Sequence, residues 1–519
     1  MKLENVALDE TNCFSPTFID YINQEAGLKP FYDTFPTVEN FKSLIESRNF
    51  PEASRKILAD QLTIQYAGTN TSAAVESNIQ SLKASKTFTI TTGHQLNIFT
   101  GPLYFIYKIV TVINACKQLK AAYPEYHFVP VYWMATEDHD LAEISYFNLF
   151  GKKYQWHTDQ TGPVGRMNPH SLKEVSDELP EKIALFQRAY TNCNRLADSV
   201  RYYVNELFGD EGLIVVDGDD AQLKGLFAPV IKEDLMHGIA NALVNEASDS
   251  LEKAGYKNQA FSREINFFYL EDGVRERIVK EGGAFKVLNT ELSFSEQEIL
   301  TLVETNPEKF SPNVIMRPLY QETILPNLAY AGGPSEIAYW FQLKEAFAHH
   351  QVFFPALMPR VFGLVVNKAN AKKVQKLNLS AVDLFKSSND LKEAFLKTNS
   401  DRDYDLVAEK NALAELFEQI KNKGEEIDGS LVGFIGAEGA KALKSIDNIG
   451  KRLKRSEEQN NETAMTQLDN LKEKLFPNGG LQERTDNFLN FYLNNPNFIK
   501  ELLEQFDAFS FKFHVLQDE

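Results

Sequence analysis

The chain has 519 residues, 43% hydrophobic and 12% aromatic, which is too long for one core and rich enough in apolar side chains to fill several. Its 72 acidic against 54 basic residues give a net charge of -18, which argues against nucleic acid or any other polyanion as a partner and leaves room only for a local basic pocket. Cys13, Cys116 and Cys193 are odd in number and form no CxxC pair, excluding a disulfide framework or a cysteine-based zinc site; with no signal-like start and no run of roughly 20 apolar residues, a soluble cytoplasmic protein without a membrane partner is expected.

Residues 1–86 read as a helical segment packing on the core, with short amphipathic faces at Phe18, Ile19 and Ile22 and at Phe41, Leu44 and Ile45. Residues 87–260 read as the first part of a Rossmann-like core. The β-branched run from Thr87 to Thr91 predicts a strand, and it ends in Thr92-Gly93-His94-Gln95. Thr100-Gly101-Pro102 looks like a helix start with Thr100 as N-cap, and Leu103, Ile106, Ile113 and Cys116 continue at helical spacing. A second strand, His127 to Met134, ends in Thr136-Glu137-Asp138-His139-Asp140. Two strands joined by a helical crossover pair in parallel, so both polar turns belong at one sheet edge, the edge where open α/β sheets bind ligands. A helical piece over about 179–208 precedes a third strand, Leu213 to Val216, with Asp217-Gly218-Asp219-Asp220 at its end.

Residues 261–310 change to short alternating runs with Asp272-Gly273 and Gly282-Gly283 turns, which predict a small inserted subdomain. Residues 311–370 return to the core: extended chain over 312–318, a strand, Gly-turn and helix from Leu328 to Phe347, and a pair of strands about Met358-Pro359-Arg360. Residues 371–480 read as a helical coiled coil, with Leu406, Leu413 and Ile420 at seven-residue spacing. A second long helix carries Ile446, Ile449, Leu453, Leu468, Leu471 and Leu475, interrupted at its seam over 457–461. Such a hairpin folds on itself or pairs with a second copy; exposed apolar seams favour a homodimer. Residues 481–519 are expected to return to the core as one helix over about 482–506.

Chemistry concentrates at the two turns. His94 stands where an imidazole can touch a phosphate or donate to a developing oxyanion, with the N–H groups of the helix start beside it. Within Glu137-Asp138-His139-Asp140, one carboxylate could act as base while another orients His139. Gly332-Gly333 before a helix could admit a phosphate, Glu336 and Tyr339 could hold a sugar hydroxyl, and Arg317 and Arg360 are candidate anion clamps. Each also has a structural reading as a turn, cap or packing residue. Two functional alternatives stay open: a metal-dependent hydrolase using the Glu137–Asp140 turn with His94 and His157 or His170, and a non-catalytic coiled-coil binding protein.

Five ordered motifs carry a resemblance over nearly the whole chain. They are Thr92-Gly93-His94-Gln95; Thr100-Gly101-Pro102-Leu103-Tyr104 with Lys108; Glu137-Asp138-His139-Asp140; Arg317-Pro318-Leu319-Tyr320-Gln321; and Gly332-Gly333-Pro334-Ser335-Glu336-Ile337-Ala338-Tyr339. Together with Phe476-Pro477 and Gln482-Glu483-Arg484 they resemble the BshC family, the cysteine ligases of bacillithiol biosynthesis. The resemblance implies a Rossmann-like parallel-sheet core with inserted connecting subdomains, similar to nucleotidylyl-transferring class I synthetases, plus a coiled coil that makes a homodimer. It also implies cysteine and glucosaminyl malate as substrates, joined by an amide bond. The cysteine carboxylate needs activation, most simply by a nucleotide phosphate such as ATP with Mg, and no other metal cofactor is expected. In that chemistry His94, Asp138, His139 and Asp140 would be catalytic, and Gly93, Gln95, Thr100, Gly101, Glu137, Arg317, Gly332, Gly333, Glu336 and Tyr339 would bind substrate or nucleotide.

Overall fold

A computed structural model describes residues 1–399 and 405–518. The chain forms two compact units, one built mainly from Leu3–Leu364 with Leu481–Leu516 and the other from Val365–Gly480.

The first unit is built on a five-stranded sheet made of β1 (Thr87–His94), β2 (His127–Met134), β3 (Ile214–Asp217), β7 (Asn327–Gly332) and β8 (Ala356–Pro359). Its spatial order is β8-β7-β1-β2-β3 and every pairing is parallel. β1 is buried along almost its whole length, because neighbours flank it on both sides and layers cover both faces. The crossover from β1 to β2 is α1 (Tyr104–Ala122), which is buried continuously from Phe105 to Cys116 and therefore lacks the polar face of a surface helix. From β1 the chain adds strands on one side and then, beginning with β7, on the other. That reversal opens a crevice between the carboxyl ends of β1 and β7, the place where doubly wound sheets bind ligands.

The insertion is an antiparallel sheet containing β4 (Phe267–Glu271), β5 (Val274–Glu281) and β6 (Phe310–Pro312), with Ala284–Val287 and Ser293–Phe294 completing the far edge. Four local expectations are corrected. Residues 312–318 are not extended: after β6 the chain turns into helix α2 (Met316–Ile324), and Pro318 fits there because the first turn of a helix needs no N–H from it. The strands near Arg360 are β8 and Phe362–Val366, and they belong to different sheets. Residues 482–506 form three short helices rather than one, and a final strand, Phe513–Gln517, follows.

Thr100 is the fourth. It does not cap α1, whose N-cap position is Leu103 with no side-chain cap bond. Phe99, Thr100 and Gly101 all have positive φ (50°, 71° and 63°). Left-handed backbone at non-glycine residues costs about 1–3 kcal/mol each and persists where the surroundings over-determine it. They do so here: Phe99 N–H donates to Tyr190 Oη at 2.8 Å, and Asn487 Nδ2 donates to the Phe99 and Gly101 carbonyls at 2.7 and 2.6 Å. Gly101 is required, since a Cβ would lie 2.5 Å from Asn97 Cβ.

The second unit is helical. Helices Val407–Ile427 and Leu431–Asn460 form an antiparallel hairpin turned at Asp428-Gly429-Ser430, and Gly424 and Gly439 let them approach closely against Ile435 and Phe417. The second arm breaks at Asn461, at the end of the interrupted stretch 457–461, and Glu462–Leu475 packs Met465 and Leu468 against Leu377, Leu391 and Leu396. Leu416, Ile420, Phe434, Ile449 and Leu453 stay exposed along the hairpin.

Candidate active site at the carboxyl edge of the sheet

The crevice deepens into a cavity of about 760 Å³ roofed by the insertion. Gly93, His94, Gln95, Glu137, Asp138, Arg317, Gly333, Glu336, Tyr339 and Arg360, all named as candidates from the sequence, line it, joined by Tyr104 and Lys108 of the helix-start motif. Residues as far apart in the chain as Gly93 and Arg360 thus meet because three strands end together, and β1 and β2 run in strict register from Thr87↔His127 to His94↔Met134.

The floor is an ion pair between a buried Lys108 and a partly exposed Glu336. Lys108, one turn into α1, reaches back to the Gly93 carbonyl (2.7 Å) and to Glu336 Oε2 (2.6 Å). Glu336 lies at the start of α3 (Pro334–Trp340), where it also accepts from Gly333 N–H at 2.8 Å and from Tyr330 Oη at 2.7 Å. Burial alone would raise the Glu336 pKa, but Lys108 and these donors hold it at about 2, so the group is a carboxylate throughout the physiological range. Its oxygens are engaged in holding β1 to β7, the two strands that flank the crevice.

His94 lies against Tyr104 and Phe105, each 5.2 Å away between ring centroids. Burial, together with the Lys108 and Arg360 charges, pulls its pKa down to about 3, against a partial offset from Glu336. The ring is therefore neutral, and its buried Nε2 has no hydrogen-bond partner among the described residues. A neutral imidazole of such low basicity is suited to donating a hydrogen bond rather than to abstracting a proton.

Around the walls the cavity is basic. Arg317 bonds Gln321 and Tyr339 (3.0 and 3.1 Å), and Arg360 is paired with the fully buried Glu483 at 2.5 Å. Arg263, Arg277 and Arg484, by contrast, make no ion pair with another described residue. Arg275 and Arg277 are two apart on β5, so alternation turns both to the same face. In a protein of net charge -18, unpaired guanidinium groups in one cavity concentrate positive potential where an anion can use it.

The Glu137–Asp140 turn divides. Glu137 is buried against Lys224, itself wholly buried, and burial pushes its carboxyl up to about 7 despite that partner. Asp138 accepts from Gln95 Nε2 at 2.8 Å and from His139 N–H at 2.7 Å. His139 and Asp140 are not among the residues that line the cavity. His139 Nδ1 accepts from Arg275 Nη1 at 2.7 Å, and burial plus that charge lower its pKa. Asp140 caps the short helix Leu141–Ile144 through Glu143 N–H at 3.2 Å. Asp140→Ala is accordingly expected to cost about 0.5–2 kcal/mol in urea unfolding, the usual loss of an N-cap, with turnover per folded molecule unchanged.

Thr100 and Gly101 lie outside the cavity lining, as does Gly332, whose carbonyl accepts from Arg360 N–H at 2.9 Å. The helix start offers no free anion-binding N–H at Leu103, which donates to the Asp486 carbonyl at 2.7 Å. His157 and His170 are exposed and not part of the cavity. Among the described residues, the only three His, Cys, Asp or Glu side chains whose ligand atoms converge within 4.8 Å are Glu233, His349 and His350, not members of this turn. The arginines of the insertion were missed in the sequence; the Arg275-Glu276-Arg277 alternation before a Gly-Gly turn was the available signal.

Comparison with known proteins agrees with this architecture. The family profile described as "Bacillithiol biosynthesis BshC, N-terminal Rossmann-like domain" matches residues 1–361, and that of the "C-terminal coiled-coil domain" matches residues 363–517. A protein of Flavobacterium psychrophilum is 43% identical, with all of both chains covered. One of Cytophaga hutchinsonii is 40% identical over 99% of this chain and 98% of its own, and one of Flavobacterium johnsoniae is 41% identical over 99% and 100%. All three carry the name "Putative cysteine ligase BshC". With both profiles matched in order and relatives aligned end to end, the chain belongs to the BshC family of bacillithiol biosynthesis.

Proposed function

We propose that this protein is a carbon–nitrogen ligase that joins the carboxylate of cysteine to the amine of glucosaminyl malate. The observation that carries the reading is the cavity at the β1/β7 reversal, which is lined both by a neutral His94 with an unpartnered Nε2 and by Arg263, Arg277 and Arg484, which make no ion pair with a described residue. Both substrates carry carboxylates, the malyl group two of them, and guanidinium forks suit carboxylates. A carboxylate is a poor acyl donor, so we take ATP with Mg as co-substrate; its phosphates are the other ligand for which such a cavity is suited. His94 would donate to the developing oxyanion, and Asp138, oriented by Gln95, would receive or orient the attacking amine. Such a reaction draws on cytoplasmic metabolites. Among the described residues no helix is long and apolar enough to cross a membrane.

The test is to incubate purified protein with cysteine, glucosaminyl malate, ATP and magnesium, following the amide product by mass spectrometry while resolving AMP from ADP. Product with AMP supports acyl-adenylate chemistry, and product with ADP an acyl-phosphate. Absence of product together with absence of cysteine and nucleotide binding rejects the ligase reading.

The exposed apolar seam of the helical hairpin further supports a homodimer, since side chains such as Leu416 (49% exposed) and Leu453 (40%) are left without cover. Leu416→Glu combined with Leu453→Glu is expected to convert a dimer to a monomer in sedimentation equilibrium. A wild-type monomer at micromolar concentration would contradict this.

A further inference from the structure

Outside the cavity, two helices bring together a set of side chains that the ligase reading does not use. Glu233 lies on the helix Ala228–His237, which follows β3, and His349 and His350 close the helix Lys344–His349. His349 Nε2 lies 2.6 Å from Glu233 Oε1 and His350 Nδ1 lies 3.1 Å from Glu233 Oε2, so each carboxylate oxygen faces a ring nitrogen. The two rings are nearly perpendicular, at 82° with centroids 4.9 Å apart, which lets consecutive residues present different nitrogens to one point. All three ligand atoms fall within 4.8 Å of one another.

Two further observations separate this cluster from a chance surface pairing. The His350 side chain is only 3% exposed, so the ring that turns Nδ1 to Glu233 is held by packing rather than free in solvent. His237 is one helical turn beyond Glu233, and its charge acts on that carboxylate, which places a further imidazole on the same helix face. The neighbouring Asp234 is not available: it is buried and accepts from Asn266 N–H at 2.6 Å and Asn266 Nδ2 at 3.1 Å.

We infer that Glu233, His349 and His350 form a binding site for a late first-row divalent cation of the zinc class, with His237 or water completing the coordination. Imidazole nitrogen and carboxylate oxygen are good zinc ligands, whereas magnesium and calcium prefer all-oxygen sets. Ligands bonded at about 2.0–2.2 Å in a tetrahedron lie about 3.3–3.6 Å apart, so the two carboxylate–imidazole spacings of 2.6 and 3.1 Å would open by up to about 1 Å. The cation would be structural. The helix ending at His349 lies in the connection between α3, which carries Glu336, and β8, which ends just before Arg360, so the ion would fasten that connection to the helix after β3.

The experiment uses the full-length chain, stripped with a chelator and exchanged into metal-free buffer, then titrated with zinc chloride by calorimetry and with cobalt(II) by visible absorption. The expected result is one saturable equivalent per chain, ligand-field bands of low-coordinate cobalt, and a higher melting temperature with zinc. Glu233→Gln, which keeps a hydrogen-bonding side chain in place, and His349→Ala should each weaken binding by at least about tenfold and abolish the melting shift. His157→Ala, an exposed histidine elsewhere, should change neither. No saturable uptake by the wild type, or uptake retained by both Glu233→Gln and His349→Ala with native circular dichroism, overturns the proposal and leaves an ion-pair cluster at a helix end.

Discussion

Replacing Lys108 by methionine is expected to lower unfolding free energy by less than the roughly 3–5 kcal/mol that stranding one member of a fully buried ion pair costs, since the Glu336 side chain is 28% exposed and water reaches part of it. The side chain is 3% exposed, and methionine matches its length closely enough to leave little cavity. What is lost is the charge that holds Glu336 as a carboxylate and the donor to the Gly93 carbonyl at 2.7 Å. With Lys108 gone, burial dominates at Glu336 and pushes its pKa upward from about 2. The double variant Lys108→Met with Glu336→Gln should recover part of the loss, because no uncompensated charge then remains, and the double-mutant cycle measures the coupling. Ligation should not recover with stability, since β1 and β7 lose the tie between Gly93 and Gly333 that fixes the crevice. Equal losses in the single and double variants would show that Lys108 and Glu336 are not energetically paired. Urea denaturation provides the measurement.

His94→Ala is expected to reduce amide formation about 10²–10³-fold, the usual effect of removing one oxyanion donor, with little change in KM for either substrate. A loss confined to KM would assign His94 to binding. The same variant gives a pH test. Native His94 titrates at about 3 against its ordinary 6.5, so below 6.5 the unfolded chain takes up a proton that the native chain refuses. The stability associated with the neutral ring is therefore fully present above pH 6.5 and is lost as pH falls from there toward 3. Removing His94 should flatten unfolding free energy against pH in that window by up to about 1.4 kcal/mol per pH unit. It should leave the slope above pH 7 alone. The wild-type rate profile should likewise show no ionisation attributable to His94 between about pH 5 and 9, because the group is already neutral there. An unchanged slope in the variant would mean that the imidazole is solvated rather than buried.

Much of this protein was legible before its structure. The β-branched run ending at His94 and the apolar run ending at Met134 required two strands, and the long apolar helix between them required those strands to be parallel. From that it followed that Gly93-His94 and Glu137-Asp138 share one edge, because the handedness and direction of a crossover are local consequences of chain geometry. The heptad spacing announced the helical hairpin in the same way. Tertiary structure alone decided which neighbours of each motif face inward. Asp138 meets Gln95 while Asp140, two residues on, turns back to cap a helix, a choice made by where the chain goes after the strand and not by residue type. Thr100 has the composition of a cap, yet Asn487 and Tyr190 hold the backbone on either side of it in left-handed turns. The basic wall contributed by Arg263, Arg277 and Arg484 comes from two distant segments that carry no pattern linking them to His94. Periodicity and turn chemistry are short-range and can be read along the chain. Burial and charge pairing depend on which surfaces meet, and that is fixed only when the insertion folds over the sheet edge.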